Sequence, residues 1–349
     1  MKVSIGTRIK EGPWGGGNLF AVNLSEYLSK NGHDVFFDLH EEDLDLILIT
    51  EPRKTSESSA FTSNDVFNYK KYINNKVVVV HRVNECDQRK GTKYLNAYLL
   101  HANRVADHTI FVSSWLKNLF VNLGFSEEKS SVILAGANSE IFNKSGFTPW
   151  DKKSKIKIVT HHWGGNWNKG FSIYKKLDEL LNKNDYKNKI EFSYIGNLPK
   201  NFEFKNTFVQ QPLAGKKLAS EIKKNHLYIT GSINEPSGNH HIEAGQCGLP
   251  LLYIDSGGIP EYCDGYGEKF TNSNFELKLE KIIKEYDYHL EKMKNYPYNS
   301  DLMSKEYMIL FNKLVKSTNT IKKNHKKSKN NLTFKLNRKL FILKMKYKF

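Results

Sequence analysis

The stretch 226–261 constrains the fold of this 349-residue chain more than any other. It begins with an apolar run, His226–Gly231, whose composition is typical of a buried strand. A turn-rich segment follows, and residues 240–247 then have the pattern of a short helix that ends at Gly248. A second strand-like run, Leu251–Asp255, completes the pattern. Strand, turn, helix and strand in this order indicate an α/β fold, in which ligands bind at the carboxyl ends of parallel strands.

Two carboxylates flank the start of this short helix. Glu235 precedes the helix and Glu243 lies within it, so both side chains can reach one cavity. The backbone N–H groups of Gly238, Asn239 and His240 lie where a helix N-terminus offers donors and partial positive charge to a phosphate. Carboxylates accept hydrogen bonds from sugar or ribose hydroxyls. The pattern therefore favours a ligand that carries both sugar and phosphate.

The order of residues across this region resembles that of a known enzyme family. Glu235 and Glu243 have an E-x7-E spacing, residues 244–250 continue it as AGQCGLP, and residues 257–261 read GGIPE. A bare pair of glutamates would carry no information, but the whole order and spacing resembles retaining GT-B glycosyltransferases of the family 4 type. The alternative interpretation is the glycine and proline punctuation of any α/β domain.

Length and composition fit a two-domain enzyme of the cytoplasm. The chain has 349 residues, 39% hydrophobic and 26% charged, which is enough for two domains with cores of ordinary size. Three scattered cysteines, Cys86, Cys247 and Cys263, support neither a disulfide framework nor a zinc site. Lys2–Gly6 is too short for the apolar core of a signal peptide, and no apolar run approaches the length of a membrane span. We therefore expect a cytoplasmic protein.

The positive charge of the chain is concentrated at its C-terminus. Of a net charge of +16, residues 321–349 contribute +11 from eleven Lys and Arg and no acid, which leaves +5 for the rest. Leucines in this segment recur at helical spacing among lysines, a pattern that favours an anionic membrane surface and peripheral attachment to the inner face of the cell membrane. A solvated tail, or one that binds nucleic acid nonspecifically, is the alternative. The rest of the chain has no nucleic-acid motif, so no specific nucleic-acid partner is predicted.

A glycine-rich turn follows the first predicted strand, Lys2–Thr7. It ends in Gly15, Gly16 and Gly17 and leads into a helix pattern. Such a turn lets the backbone approach a phosphate, and it resembles the loop of GT-B enzymes that closes over the donor phosphates. A nicotinamide-dependent oxidoreductase stays an alternative, although the third glycine of that dinucleotide fingerprint would fall on Phe20.

The predicted strand 76–80 delivers His81 to a carboxyl end, where α/β sites are built. The resemblance implies a catalytic role for His81 near the donor sugar and the acceptor. The alternative is a hydrogen-bonded structural histidine at a strand exit. Asp43 and Asp45 spell the D-x-D pattern of metal-dependent glycosyltransferases, but they precede an apolar strand far in sequence from the glutamates. We therefore predict no catalytic metal and no cofactor.

A second series of strands and helices starts at Ile156. Lys169 in its first loop resembles the family lysine whose ammonium offsets the charge of the donor's β-phosphate, and Gly196 resembles a glycine at the donor cleft. Family members carry an arginine five residues before that lysine, where this chain has Gly164. His161, His162, Asn166 or the two neighbouring tryptophans are the candidates to compensate. Further on, residues 274–294 are predicted to form one long helix.

The resemblance implies an α/β chain with the GT-B fold, in which two Rossmann-like domains face each other across a cleft. We predict an acceptor-side domain at residues 1–149 and a nucleotide-sugar-binding domain at 150–300. A terminal helix at 301–318 crosses back to the first domain, and a basic tail follows at 319–349.

The function implied is transfer of a sugar from a nucleotide-diphosphate-sugar to a hydroxyl of a glycan or lipid-linked saccharide, with retention, in surface polysaccharide synthesis. Glu243 would bind ribose hydroxyls and Glu235 the donor sugar, while Ser237 and the helix start at 238–240 would hold sugar and phosphate. Gly15–Gly17 would close from the other domain. The alternative is a non-catalytic GT-B-shaped protein that binds a nucleotide or a glycan.

Overall fold

The computed structural model describes residues 1–10, 15–321 and 332–347. Its strands form two six-stranded sheets, one in each half of the chain, and every recorded strand pair is parallel. Parallel strands need crossover connections, which helices on the faces of each sheet provide. The predicted α/β architecture of two Rossmann-like domains is confirmed.

The first sheet has the order β2-β1-β3-β4-β5-β6. Its strands are β1 (Lys2–Ile5), β2 (Asp34–Phe36), β3 (Leu46–Ile49), β4 (Val78–Val83), β5 (His108–Phe111) and β6 (Ser130–Val132). The helices between them are α1 (Gly15–Lys30), α2 (Ser63–Tyr72), α3 (Asp87–Lys90), α4 (Leu95–Ala102) and α5 (Ser114–Val121). Every residue of β3 and β4 is buried, as expected for central strands covered on both faces.

The second sheet has the order β12-β11-β10-β7-β8-β9. Its strands are β7 (Ile156–His162), β8 (Ile190–Gly196), β9 (Phe208–Gln210), β10 (Leu227–Thr230), β11 (Leu251–Ile254) and β12 (Gly267–Phe270). Its helices are α6 (Phe171–Leu180), α7 (Asn184–Lys187), α8 (Gly215–Ile222), α9 (Asn239–Gln246), α10 (Ile259–Cys263), α11 (Phe275–Lys284) and α12 (Tyr286–Met293). The prediction of one helix over 274–294 is wrong, because the backbone leaves helical dihedrals at Glu285 (φ −99°, ψ 22°).

The chain returns to the first domain through α13 (Ser300–Ile321). Met303, Tyr307 and Phe311 on this helix are buried in the core that β1, β3, β4 and α1 build. The rings of Phe20 and Tyr307 lie 5.2 Å apart, centroid to centroid. Helix α13 therefore completes the core of the first domain.

The described part of the C-terminal tail is one helix, α14 (Leu332–Tyr347). It packs on α2, where Phe341 and Met345 join the apolar cluster around Tyr69. Arg338 Nη2 also donates to Glu42 Oε2 at 2.6 Å. The remaining tail residues, 322–331 and 348–349, lie outside the described residues. Among the described helices, none has the length and apolar character that crossing a membrane requires.

The two domains meet along a seam near α5 and α10. Both carboxylate oxygens of Glu261 accept hydrogen bonds from the first backbone N–H groups of α5, from Ser114 at 2.7 Å and from Trp115 at 2.9 Å. A side chain of the second domain thus satisfies N–H groups that a helix start leaves unpaired. The hydroxyl of Tyr262 donates to the carbonyl oxygen of Val112 across the same seam.

Candidate active site

The strand orders of the two sheets indicate where a ligand would bind. In the second sheet the chain runs outward from β7 to β9 and then returns on the other side of β7 with β10. In the first sheet the same reversal lies between β1 and β3. Open α/β sheets bind ligands outside the carboxyl ends of strands at such reversals. The loops after β7 and β10 carry Lys169 and Glu235.

Glu235 is the most strongly paired carboxylate of this region. One of its oxygens, Oε2, accepts a hydrogen bond from Arg89 Nε at 3.0 Å and one from Lys169 Nζ at 3.2 Å. The Glu235 side chain is only 8% exposed. Burial alone would raise the pKa of Glu235, but the charges of Lys169 and Arg89 outweigh burial and lower this pKa from 4.5 to about 2. Glu235 is therefore ionised at neutral pH, with two cations in contact.

Glycines hold the backbone around Glu235. Gly258 N donates to Glu235 O at 2.8 Å, and a Cβ atom at Gly257 (φ +64°) would lie 2.5 Å from the same oxygen. Gly238 (φ +77°) would bring a Cβ atom to 2.9 Å from Glu235 Cγ. The glycines at 257 and 238 thus combine a left-handed backbone with space for no side chain. This gives a physical reason for the glycine pattern that carries the resemblance.

Glu243 lies on α9, facing the end of β7. His161 Nε2 is 2.8 Å from Glu243 Oε2, and Tyr228 Oη is 3.2 Å from His161 Nδ1. The His161 ring thus lies between a carboxylate oxygen at Nε2 and a hydroxyl at Nδ1. Both Glu243 and His161 are buried. The hydrogen bond holds Glu243 in one orientation at the edge of the site.

Further histidines form a polar floor beneath these residues. Tyr174 donates its hydroxyl proton to His162 Nε2 at 2.7 Å, and Thr230 Oγ1 lies 2.8 Å from His240 Nε2. Burial holds the pKa values of His162 and His240 well below the usual value, and it lowers the pKa of His241 to about 3. These histidines are therefore neutral at pH 7, so the charge of the site lies on Glu235, Arg89 and Lys169.

The two helices that begin at the site approach each other closely. Gly15, Gly16 and Gly17 form the first turn of α1, and a Cβ atom at Gly16 would lie 3.1 Å from the side chain of Asn239, the first residue of α9. Two helix N-termini, one from each domain, thus face the same space, and both favour an anion there. The preceding part of the predicted glycine turn, residues 12–14, lies outside the described residues.

The other predicted site residues lie at neighbouring positions. Ser237 is half-buried in the turn before α9. Gly196 ends β8 with φ +144°, and a Cβ atom there would lie 1.9 Å from His162 O, so only glycine fits. Lys169 ends a short 3-10 helix, Trp167–Lys169, and its backbone carbonyl accepts from Ser232 Oγ at 3.2 Å.

His81 lies inside the first domain. It is 0% exposed, and its Nδ1 is 2.9 Å from Asn103 Oδ1, while Nε2 has no hydrogen-bond partner among the described residues. Burial lowers its pKa to about 4. This geometry fits a hydrogen-bonded structural histidine, although His81 lies within β4, which continues to Val83, and not at the exit of the strand. The catalytic role implied by the resemblance stays a prediction.

Sequence reasoning missed two charged residues of the site. Arg89 lies on the four-residue helix α3, where no local pattern marks it, and it reaches a glutamate 146 positions away. Glu85 follows β4 directly, and no sequence motif marks it. Its Oε2 is buried without a hydrogen-bond partner among the described residues, and burial, together with the nearby Glu235, raises its pKa.

One group of potential metal ligands occurs in the part of the chain that the structure describes. Oxygen atoms of Glu268 and Glu285 and a ring nitrogen of His289 lie within 4.8 Å of one another. Lys278 and Lys281 already donate to the two Glu268 oxygens, at 2.8 and 2.7 Å. These ammonium groups occupy the positions that a cation would need. Lys2 binds Asp43 in the same way, at 2.8 Å.

Comparison with known proteins adds to this geometry. No protein-family model matches the chain, and no curated protein matches it by sequence. Solved structures do match. A glycosyltransferase from Rickettsia africae is 13% identical with a TM-score of 0.62, and the match covers 90% of this chain and 98% of that chain.

Two ligand-bound structures are similar over the same extent. The catalytic domain of starch synthase IV from Arabidopsis thaliana, bound to ADP and acarbose, is 12% identical with a TM-score of 0.67, covering 90% of this chain and 99% of that chain. HepE from Anabaena, in complex with UDP-glucose, is 14% identical with a TM-score of 0.61, covering 92% and 99%. Identities this low show the fold alone. The chain has the GT-B fold of these enzymes.

Proposed function

We propose that this protein is a glycosyltransferase that moves a sugar from a nucleotide-diphosphate-sugar to a hydroxyl of a glycan or lipid-linked saccharide, with retention. One observation carries the proposal: two glutamates lie on either side of the α9 N-terminus, and a lysine from the β7 loop contacts one of them. This set offers hydroxyl acceptors and phosphate donors at one place. The role we infer is in surface polysaccharide synthesis.

The donor would lie across the carboxyl ends of β7 and β10. Glu243, oriented by His161, accepts hydrogen bonds from the ribose hydroxyls. The N–H groups at the start of α9 and the ammonium of Lys169 bind the diphosphate. Glu235 and Ser237 bind hydroxyls of the donor sugar, and the first turn of α1 closes the site from the other domain. His81, which is buried in β4 of the first domain, is our candidate near the reacting centre.

In the reaction, the bond between the anomeric carbon and the β-phosphate oxygen breaks, and its electron pair stays on that oxygen. The acceptor hydroxyl oxygen bonds to the anomeric carbon on the face that the diphosphate leaves, and its proton passes to the departing diphosphate. The residues contribute positioning and stabilisation of the developing negative charge. Lys169 and the α9 N-terminus carry that stabilisation, so no metal is part of the proposal.

The test is donor turnover by variants of the two best-placed residues. We expect Glu243→Ala to raise the donor KM, because ribose contacts are lost in ground state and transition state alike. Lys169→Ala should lower kcat by about 100-fold, the usual loss when one charge-stabilising donor is removed. Glu276→Ala, at a partly exposed glutamate on α11 that pairs with Lys176, serves as the control. Full activity in both site variants would show that the assignment is wrong.

A non-catalytic binding protein of the same shape is the second candidate, and the glycine at position 164 favours it. Donor hydrolysis in the absence of an acceptor separates the two, since a binder should release no free sugar. A nicotinamide-dependent oxidoreductase would enhance NADH fluorescence on mixing, and we expect no enhancement.

We also propose that α14 holds the protein on the inner, anionic face of the cell membrane. Leu336, Leu340 and Leu343 recur at helical spacing on α14 and are 58%, 54% and 40% exposed. Basic residues flank them, and the opposite side of the helix packs on α2. Exposed leucines and lysines together suit a lipid surface, where a lipid-linked acceptor would lie.

Co-sedimentation with vesicles tests this attachment. The protein should bind vesicles that contain phosphatidylglycerol and release them at high salt, because the attraction is partly screened. Replacing Leu336, Leu340 and Leu343 by serine should weaken binding by about 10-fold or more. Leu277→Ser, on the exposed surface of α11, is the control. Equal binding to phosphatidylcholine vesicles by all variants would contradict the proposal.

A further inference from the structure

We propose that Arg89 of the first domain is the second cation for the donor's diphosphate, and that Glu235 holds this arginine until the diphosphate displaces it. The inference rests on the proposed function, since it assigns a ligand to the same site. It identifies which residue takes the place of the arginine that the resembling family carries at position 164.

Arg89 and Glu235 are in direct contact. Arg89 Nε and Nη2 both lie 3.0 Å from Glu235 Oε2, and the two side chains are each 8% exposed. Lys169 Nζ binds the same oxygen at 3.2 Å. Arg89 comes from the first domain, whereas Glu235 and Lys169 belong to the second. The guanidinium thus reaches across the cleft to the place where the lysine acts.

Two side-chain amides of the second domain contact the backbone of α3. Asn234 Nδ2 donates to Gln88 O at 3.4 Å, and Asn168 Nδ2 lies 3.5 Å from Arg89 O. These amides belong to the two loops of the second domain that carry Glu235 and Lys169. The arginine is therefore positioned by the loops that build the site.

There is space for a side chain at Gly164. A Cβ atom there would lie 3.7 Å from Lys169 Cε and 3.4 Å from the Asn166 side chain, both ordinary contact distances. An arginine at 164 would thus begin beside Lys169 without a clash. In this chain that position carries no side chain, and Arg89 approaches Lys169 from the opposite domain instead.

The charges around Glu235 favour an anionic ligand. Two cations share one carboxylate at the end of β10, burial raises the pKa of the neighbouring Glu85, and the α9 N-terminus adds partial positive charge. A diphosphate supplies several oxygens for the planar fork of arginine, which binds phosphate through two parallel hydrogen bonds. When the diphosphate takes Arg89 and Lys169, Glu235 is released to accept hydroxyls of the donor sugar. Glu235 is then a placeholder for the diphosphate in the free protein.

Titration calorimetry tests the exchange, with the nucleoside diphosphate that the wild type binds and with the corresponding monophosphate. Arg89→Gln should weaken diphosphate binding by about 30-fold, the effect of one lost charged hydrogen-bonding group. Binding of the monophosphate should change by less than about 2-fold, because the arginine is assigned to the terminal phosphate. Arg104→Gln, an exposed arginine that precedes β5 at the opposite end of the strands, should leave both affinities unchanged.

Two more variants separate a diphosphate ligand from a merely structural residue. Adding Gly164→Arg to Arg89→Gln should recover about 5-fold or more of the lost affinity by restoring a guanidinium beside Lys169. Glu235→Gln should tighten nucleoside diphosphate binding about 5-fold when Arg89 is present and by less than about 2-fold in the Arg89→Gln background. A structural role for Arg89 predicts neither recovery nor tightening.

The outcomes distinguish this inference from the proposed function. If the wild type binds no nucleoside diphosphate, the proposed function fails. If it binds one and Arg89→Gln binds it equally well, Arg89 is not a ligand, while the proposed function stands. Should Arg89→Gln not fold, Arg89→Lys decides with Glu235→Gln: weaker binding in the first and tighter binding in the second support the exchange. Unchanged affinity in both overturns it.

Discussion

A central strand of each domain carries buried histidine, yet the surroundings of these histidines differ. In the first domain, His81 of β4 is enclosed, with one hydrogen bond to Asn103. In the second domain, His161 and His162 end β7 and join a network that includes Tyr174, Tyr228 and Glu243.

The two Rossmann-like domains thus make different contributions to one site. Hydrogen bonds along the β7 end fix the rotamers of side chains that face the site, as a preorganised binding surface requires. The first domain instead contributes Arg89 on a short helix beyond its β4 strand, so its part is a charge placed at the rim. One half supplies an ordered floor, and the other supplies a group that can change partners.

The largest expected effect is acid destabilisation of the second domain. His162, His240 and His241 have pKa values lowered by burial, so below pH 6.5 the unfolded chain binds protons that the folded chain does not. Stability is therefore complete above pH 6.5 and falls as pH decreases, by roughly 1.4 kcal/mol per pH unit for each histidine. The three together predict a loss of roughly 4 kcal/mol between pH 6 and pH 5. In β4 one such group, His81, has a lowered pKa; burial also lowers the pKa values of His33 and His108 in the first domain and of His226 and His289 in the second.

Hydrogen exchange read by mass spectrometry at several urea concentrations, at pH 6 and pH 5, measures this loss separately in each domain. His241→Phe provides the control, because it removes one titrating group and should reduce the slope of the second domain by roughly 1.4 kcal/mol per pH unit. Equal slopes in the two domains would contradict the comparison.

The second effect concerns the side chains that contact His162 of β7 and His81 of β4. Tyr174→Phe removes the hydroxyl that binds His162 Nε2 and accepts from Gly231 N at 3.1 Å, which leaves the buried Gly231 N–H unpaired and His162 Nε2 with only Thr160 Oγ1, at 3.4 Å. We expect a loss of about 2 kcal/mol in the free energy of unfolding. Asn103→Ala removes a half-buried amide whose Oδ1 lies 2.9 Å from His81 Nδ1 and accepts from Thr109 Oγ1 at 2.9 Å, and it should cost about 1 kcal/mol because water can replace the amide. Urea unfolding of both variants decides, and a larger loss at Asn103 would reverse the comparison.

The smallest effect lies at the seam between the domains. Glu261→Gln weakens the cap on α5 and should cost about 1 kcal/mol, as for other lost helix caps. The amides of Ser114 and Trp115, which donate to this carboxylate, should exchange faster. Glu291→Gln, at an exposed position on α12, should leave them unchanged. Unchanged exchange in Glu261→Gln would mean that the seam does not depend on this charge.

Much of the fold could be predicted from the sequence because local patterns of apolar residues and glycines indicate its strands and turns. Apolar runs such as 76–80 and 251–255 marked parallel strands, and glycines at 248 and 257 marked the turns where only glycine fits. The same stretch gave the region of the site, since Glu235, Glu243 and the α9 start lie within a few residues of one another. These features depend on neighbours in sequence.

The remaining features depend on contacts between distant residues. Nothing near Arg89 shows that it will reach Glu235, and nothing near Glu261 shows that it will cap a helix of the other domain. His161 was a candidate to compensate for the glycine at 164, whereas the structure pairs it with Glu243. Such pairings are set by how two domains pack, which residue periodicity does not record.

Helix α13 has a consequence for synthesis of the chain. Because Met303, Tyr307 and Phe311 belong to the core of the first domain, that core stays incomplete while the second domain, an insertion within the first, is being made. Domains fold as units during translation, usually beginning with the N-terminal one. We therefore expect the reverse order here, in which the inserted domain can finish folding on the ribosome before the first domain receives its last helix.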